Sequence, residues 1–312
     1  MRLIICGNGF DLHHGYKTGY YDYRNFLVEH YPDSCNAFED FPYINLSGSD
    51  KWSDLEQSLT ISYEECIENA IDEGYPDWND DSDSRWHGID IDLEEQTKFI
   101  FDFTGRYFFQ WLTDTDFSDP RELMDLDAND CYLTFNYTST LEKVYNIKPE
   151  NIMHIHGQID FVDETGELTK SIGDITTTGQ VEVTEEIQFG SVENNGETIK
   201  AEMERKYGQD DFYGASIEPG IYNIIEFCKV ASKNLEMNYD SLNNFINNNV
   251  IEEVVVMGHS LIGVDCPYYV DIIVPVLKDC QWVFYWHFDS DKYAIEEFIN
   301  RFSIDNFSLV AW

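Results

Sequence analysis

Positive charge is scarce in this sequence. Lys and Arg number 19 against 60 Asp and Glu, a formal net charge of −41. A field of that sign repels a phosphate backbone, so no direct nucleic-acid partner is expected, although backbone N–H groups can still hold a small anion locally. The acidity suits a highly soluble surface first, and a basic partner or mimicry of nucleic acid second. Cysteine is equally unpromising as chemistry. The seven residues Cys6, Cys35, Cys66, Cys131, Cys228, Cys266 and Cys280 are odd in number, scattered, and never in C-x-x-C spacing. Neither a disulfide framework nor a thiolate metal site is expected. There is no apolar run long enough to cross a bilayer, and Met1 leads into an apolar stretch without a basic segment or cleavage site. A cytoplasmic protein without a membrane partner is the expectation. Internal repeats and low-complexity linkers are also lacking.

What is present starts at once. Met1 to Gly15 reads M-R-L-I-I-C-G-N-G-F-D-L-H-H-G, and its apolar run Arg2 to Cys6 stops abruptly at Gly7-Asn8-Gly9. That is the pattern of a buried parallel strand turning into a ligand loop. Gly7 and Gly9 lack Cβ atoms, so backbone N–H groups can approach a phosphate or ribose, and Asn8 and Asp11 add polar groups at the mouth. The bland alternative is a tight strand-to-helix turn with no ligand. A full G-x-G-x-x-G fingerprint is absent, because Leu12 occupies the last position.

At 312 residues and 43% hydrophobic content the chain can fill a large core. Tyr20 to Tyr31 has helical spacing, Pro32 to Asp50 reads as loop, and Ser53 is placed to cap a helix running through Leu55, Leu59, Cys66 and Ala70. Glu56, three residues after Ser53, reads as its capping-box partner or as a ligand contact. Asp72 to Asp92 is an acidic loop, and Leu93 to Leu112 a helix with an aromatic face. Cys131 to Asn136, Ser139 to Tyr145 and Asn151 to His156 form a strand, helix and strand, hence a parallel βαβ unit. After a polar stretch, helices are expected over Pro219 to Met237 and Tyr239 to Asn247. The alternation then resumes: strand Glu253 to Met257, helix Cys266 to Leu277, strand Trp282 to Phe288, helix Asp291 to Phe302, and edge strand Ser308 to Ala311. The fold class is therefore α/β, a Rossmann-like parallel sheet flanked by helices, with helical and hairpin insertions. We read residues 1–312 as a single nucleotide-binding domain with a helical insertion at about 52–115 and a polar, lid-like insertion at about 161–213.

Four of the strands end in polar clusters: Gly7-Asn8-Gly9-Phe10-Asp11, Thr134-Phe135-Asn136-Tyr137-Thr138, His154-Ile155-His156-Gly157, and Gly258-His259-Ser260-Leu261 with Asp265 beyond. In a parallel sheet all four meet along one edge, and that convergence marks the candidate site. Each has a plainer reading. Asn136 or Thr138 can cap the next helix. His154 and His156 alternate and face one way, which permits a metal pair, yet no third ligand is evident, and a hydrogen-bonded pair is the simpler reading. Gly258-His259-Ser260 begins like a nucleophile elbow, but Ile262 stands where G-x-S-x-G needs glycine, which argues against a serine hydrolase.

These segments carry a resemblance. I-C-G-N-G-F-D-L-H-H-G from Ile5, W-S-D-L-E from Trp52, L-T-F-N-Y-T from Leu133, H-I-H-G from His154 and G-H-S-L from Gly258, in that order, resemble the bacteriophage abortive infection AbiH family. AbiH-type proteins are in turn similar to the sirtuin-like NAD-binding fold of antiphage proteins. There, a G-A-G-x-S loop binds the dinucleotide, N-Y-D supplies a catalytic Asn, H-G a catalytic His, and a late G-x-S lines the nucleotide site. By that resemblance Gly7 and Gly9 match the loop, Asn136 the Asn, His156 the His, and Gly258 with Ser260 the last segment. Asn8 and Asp11 stand where the loop has Ala and Ser, and Thr138 where the third segment has Asp. The cysteine quartet of deacetylating sirtuins is missing, which directs the reading to hydrolysis or binding rather than protein deacetylation.

The expectation is thus an antiphage protein that binds NAD as substrate or ligand and hydrolyses its nicotinamide–ribose bond. His156 would be a general base of ordinary pKa, about 6.5. Asn136 would orient ribose or water, and Asp11 would stabilise charge on the ribose. Gly7, Asn8, Gly9, Phe10, Thr134, Tyr137, Gly157, Gly258, His259 and Ser260 would line the nucleotide. No metal is expected. Two rivals remain: a nucleotide sensor acting through a partner without turnover, and a metal-dependent nuclease toxin using His154, His156 and Asp11. A phage-derived trigger and a homo-oligomer are both left open as partners.

Overall fold

The structure, a computed structural model, describes residues 1–44, 50–74, 88–118, 120, 123–159, 188–192, 194, 196–207 and 211–312. At its centre β1 (Arg2–Cys6) is flanked by β2 (Cys131–Thr134) and then β3 (Ile152–His154) on one side. On the other lie β4 (Glu253–Met257), β5 (Gln281–Trp286) and β6 (Phe307–Ala311). All pairings in this six-stranded sheet are parallel. The apolar runs are continuous because both faces are covered. Leu3 and Ile5 join Leu133, Val254, Val256, Trp282 and Phe284 in one core, while Ile4 and Cys6 join Tyr132, Val255 and Met257 in the other. Each such aliphatic side chain contributes about 1.5–3 kcal/mol on burial. The strand order β3-β2-β1-β4-β5-β6 reverses direction between β1 and β4. This is the Rossmann-like sheet expected, with its switch point beside the Gly7 loop.

Between β1 and β2 lie α1 (Asn8–His13), α2 (Tyr20–His30), α3 (Pro32–Asp40), α4 (Tyr63–Gly74), α5 (Gly88–Thr97), α6 (Phe99–Thr104) and α7 (Arg106–Asp114). These helices from α2 onward build an aromatic core of their own around Tyr23, Phe38, Trp52, Phe103 and Phe108. Three local expectations fail here. The loop predicted after Pro32 holds a helix, because proline at the first helical position gives up no needed N–H. Leu93 to Leu112 is not one helix but the end of α5 followed by α6 and α7, interrupted at Gly105, whose φ and ψ are both −104°. The helix predicted from Ser53 through Ala70 starts only at Tyr63, as α4, which carries Cys66 and Ala70. The Ser53 hydroxyl bonds the Asp50 carbonyl at 2.9 Å, residues 51–56 turn, and Glu56 points inward instead of capping. Most of the predicted acidic loop at 72–92 lies outside the described residues.

After β2 come α8 (Thr140–Tyr145) and β3, then α9 (Gly196–Tyr207), α10 (Asp211–Val230) and α11 (Leu235–Asn247). Both strands of the βαβ unit are shorter than predicted, so Asn136 and His156 sit in turns past the strand ends. The helix predicted over Pro219 to Met237 starts earlier and stops at Val230, and the break before α11 presents Lys233. Of the lid-like stretch at 161–213, residues 161–187 lie outside the described residues; α9 within it is helical. Beyond β4, α12 (Cys266–Tyr268), a π-helical turn at Tyr269–Ile273 and α13 (Val274–Leu277) lead to β5. Finally α14 (Asp289–Phe302) leads to the edge strand β6. Among the described residues no helix is long and apolar enough to cross a membrane.

Candidate functional site

A cleft of about 1160 Å³ opens along the carboxyl ends of β1, β2, β4 and β5, beneath the aromatic helices of the insertion. Its ridge is made by two glycine loops in direct contact. A Cβ on Gly7 would fall 2.6 Å from the Gly258 oxygen, and one on Gly9 2.7 Å from the Gly258 Cα. Gly258 itself has φ +65°, and its Cβ would meet Phe10 N at 2.3 Å. The glycines are thus required by the approach of one loop to the other. Their donors are largely spent on that approach: Gly7 N–H donates to Met257 O (3.0 Å), Gly9 N–H to Gly258 O (2.9 Å) and Phe10 N–H to Gly7 O (2.9 Å). The open phosphate cradle expected from the sequence is, for these three groups, already filled by the chain.

Asp11, Asn136 and Tyr137 do converge on the cleft. Asp11 is 1% exposed and accepts from Thr138 Oγ1 at 2.5 Å and Thr140 Oγ1 at 2.7 Å. Burial pushes its carboxyl up to about 6, against those two hydrogen bonds. Asn136 donates its side-chain amide to Gly7 O at 3.0 Å, and its N–H is held by Thr134 Oγ1 at 3.1 Å. Among the described residues Asn8, His259 and Ser260 also line the cleft, whereas Phe10, Thr134, His156 and Gly157 do not. Gly157 makes the turn after β3 with φ +84°.

The two histidines expected to face one way diverge, because β3 ends at His154 and the chain turns. His154 bonds Glu142 Oε1 at 2.9 Å through Nε2 and the Asn136 carbonyl at 3.2 Å through Nδ1. His156 lies 1% exposed, and burial, reinforced by Lys233, lowers its pKa to about 3. It is therefore uncharged near neutral pH, with a basicity well below the ordinary value expected from the sequence. Its Nε2 is 3.4 Å from Asp265 Oδ1 and has no hydrogen-bond partner among the described residues. No group of three His, Cys, Asp or Glu side chains among them is arranged to hold a metal ion.

Behind the ridge sits an ionic cluster. Lys233, its side chain 0% exposed, donates to Glu56 Oε2 at 2.6 Å and Asp265 Oδ1 at 2.9 Å. Burial depresses the Lys233 amine, but the two carboxyls outweigh it and raise its pKa. For Asp265, burial acts upward, and Lys233, with a hydrogen bond from His259, overcomes it, holding the carboxyl well below the usual range. His259 Nδ1 accepts from Leu261 N–H at 3.0 Å, so its proton belongs on Nε2, which lies 3.6 Å from Asp265 Oδ2. Lys233 is the one Lys or Arg among the described residues lining the cleft.

Residues 3–286 match the model of the family described as Bacteriophage abortive infection AbiH. The chain belongs to the AbiH family. That membership implies a role in phage abortive infection. Neither the curated proteins nor the solved structures gave a match. In this AbiH protein, the residue that sequence reasoning missed is Lys233. Lys233 lies in Ala231-Ser232-Lys233-Asn234, which has no motif; its only signal is that a lysine is uncommon in so acidic a chain.

Proposed function

We propose that this AbiH protein binds a nucleotide in the cleft, NAD first among candidates, and hydrolyses the nicotinamide–ribose bond. The observation that carries the reading is a cleft of about 1160 Å³ at the β1/β4 switch point with the ionised carboxylate of Asp265 at its floor. As that bond breaks, positive charge moves from the nicotinamide ring to an oxocarbenium-like ribose, and a fixed anion on the ribose side favours that state over the ground state. In this reading the C1′–N bond breaks and its electron pair leaves with nicotinamide. A water oxygen then bonds C1′ and gives its proton to Asp11, whose pKa of about 6 suits a base near neutral pH. Asn136 orients the ribose side of the cleft, and His156 serves as a neutral neighbour of Asp265.

The test is mass-spectrometric quantification of nicotinamide and ADP-ribose after incubating the pure protein with NAD, beside Asp11→Asn, Asn136→Ala, His156→Ala and Asp265→Asn. Release above the level of Asp265→Asn is expected. A second reading, a nucleotide sensor without turnover, is favoured by the internally bonded loop donors. A rise in melting temperature with NAD but no nicotinamide release supports the sensor; neither effect refutes both. A phage-derived trigger enters both readings as the component added when the pure chain is silent.

A further inference from the structure

A ligand that carries phosphate needs donors, and Gly7, Gly9 and Phe10 have already spent their N–H groups within the chain. Other donors lie a few residues on. Gly15, Thr18, Gly19, Tyr20 and Tyr21 line the same cleft, in the segment that leads from α1 into α2. Helix α2 runs for 11 residues with Gly19 as its N-cap. The N–H groups of Asp22 and Tyr23 turn back to the Gly19 carbonyl at 2.8 and 3.1 Å, and Gly19 N–H donates to Asp22 Oδ2 at 3.2 Å. Those of Tyr20 and Tyr21 have no partner among the described residues. Two adjacent free N–H groups at the positive end of a helix favour an anionic oxygen.

Many helices start this way, and a side chain sets this one apart. Thr18 is 5% exposed and lines the cleft, and its Oγ1 has no hydrogen-bond partner among the described residues. A buried hydroxyl left unpaired is costly, and a ligand oxygen that bonds it removes the cost. The segment is held from both sides, by Tyr16 N–H donating to Asp11 O at 3.1 Å and by Asp22 at the helix end. The Asp22 carboxylate is turned to Gly19 and is not among the residues lining the cleft. Lys17, next to Thr18 in the chain and exposed, sets a positive charge on this turn against the general acidity.

We propose that the turn Thr18–Tyr21 is the phosphate subsite of the cleft: the N–H groups of Tyr20 and Tyr21 and the Thr18 hydroxyl donate to the diphosphate of a nucleotide. The glycine ridge then gives the cleft its shape and leaves the anion to α2. This deepens the nucleotide reading by placing the anionic part of the ligand, and rests on that reading only for what the diphosphate carries.

Titration calorimetry and thermal shift on the full chain test it with ADP, adenosine and inorganic pyrophosphate, beside Thr18→Val and Thr18→Ser. The wild type is expected to bind pyrophosphate, and to bind ADP roughly tenfold more tightly than adenosine. Thr18→Val puts a methyl group where the hydroxyl was. It is expected to weaken ADP and pyrophosphate about tenfold and to leave adenosine unchanged. Without ligand it is expected to melt no lower than the wild type, because an unpaired polar group is gone; Thr18→Ser is expected to restore the affinity. A merely structural role for Thr18 would lower stability without separating ADP from adenosine. Equal affinity of the wild type for ADP and adenosine, no binding of ADP and pyrophosphate, or ADP binding that Thr18→Val leaves unchanged overturns the inference. NAD turnover whose KM Thr18→Val does not move rejects this inference and leaves the hydrolase reading intact. Pyrophosphate binding that depends on Thr18, without NAD binding or turnover, does the reverse.

Discussion

At the scale of single residues, Asp11 links burial to acid–base behaviour most directly. Its folded pKa of about 6 stands above the ordinary 3.8, a difference of about 3 kcal/mol between the charged and neutral forms. A carboxyl whose folded pKa is raised favours the native state most below the unfolded pKa, and that contribution is lost as pH climbs through the folded one. The wild type is thus expected to lose stability between about pH 4 and pH 6 through this group. Asp11→Asn, which keeps the shape without the charge, is expected to remove that slope and to be the more stable protein at pH 7.5. Thermal unfolding across the pH range measures it; an unchanged slope would show that Thr138 and Thr140 fully offset the burial. The polarity of Asp11 was legible in the sequence, as was its place at the mouth of the loop. The Thr140 hydroxyl that holds it belongs to α8, 129 positions away, and no local pattern announces such a bond.

Among the elements, the contact between the two glycine loops governs the site. Gly258→Ala would set a methyl group 2.3 Å from Phe10 N on a backbone with φ +65°, so strain and clash act together. A loss of roughly 2–4 kcal/mol and of any ligand-induced rise in melting temperature is expected, measured by denaturant unfolding and thermal shift. A variant that keeps wild-type stability would mean that the loops can separate. Strand identities were readable here because β1 and β4 are apolar runs cut off by glycine, and both match the predicted bounds. What escaped were elements whose fate depends on partners. Pro32 reads as a breaker in isolation yet opens α3, and the helical rhythm of Leu93 to Leu112 persists through two breaks because each piece buries its aromatic face in the same core. Ser53 and Glu56 have capping spacing, but Lys233, 177 positions on, offers Glu56 a stronger bond.

For the whole molecule, charge dominates. With a net −41, self-repulsion works against the compact state, and counterions relieve it. Raising NaCl from about 0.05 to about 0.5 M is expected to raise the melting temperature by several degrees, the reverse of what surface ion pairs alone would give. A melting temperature that stays flat or falls with salt would mean that local pairs outweigh the global field. The same acidity was visible in composition, but its arrangement was not. The one lysine lining the cleft, among the described residues, is buried and shared between two carboxyls.

The spacing of that cluster along the chain also bears on synthesis. Glu56, Lys233 and Asp265 lie 177 and 32 positions apart, so the cleft floor needs segments from both halves of the polypeptide. While a ribosome is still translating, the glycine loop and the aromatic helices emerge first, and neither has its ionic partner. A nascent or truncated chain consequently lacks the complete floor of the cleft until the segment carrying Asp265 has been made.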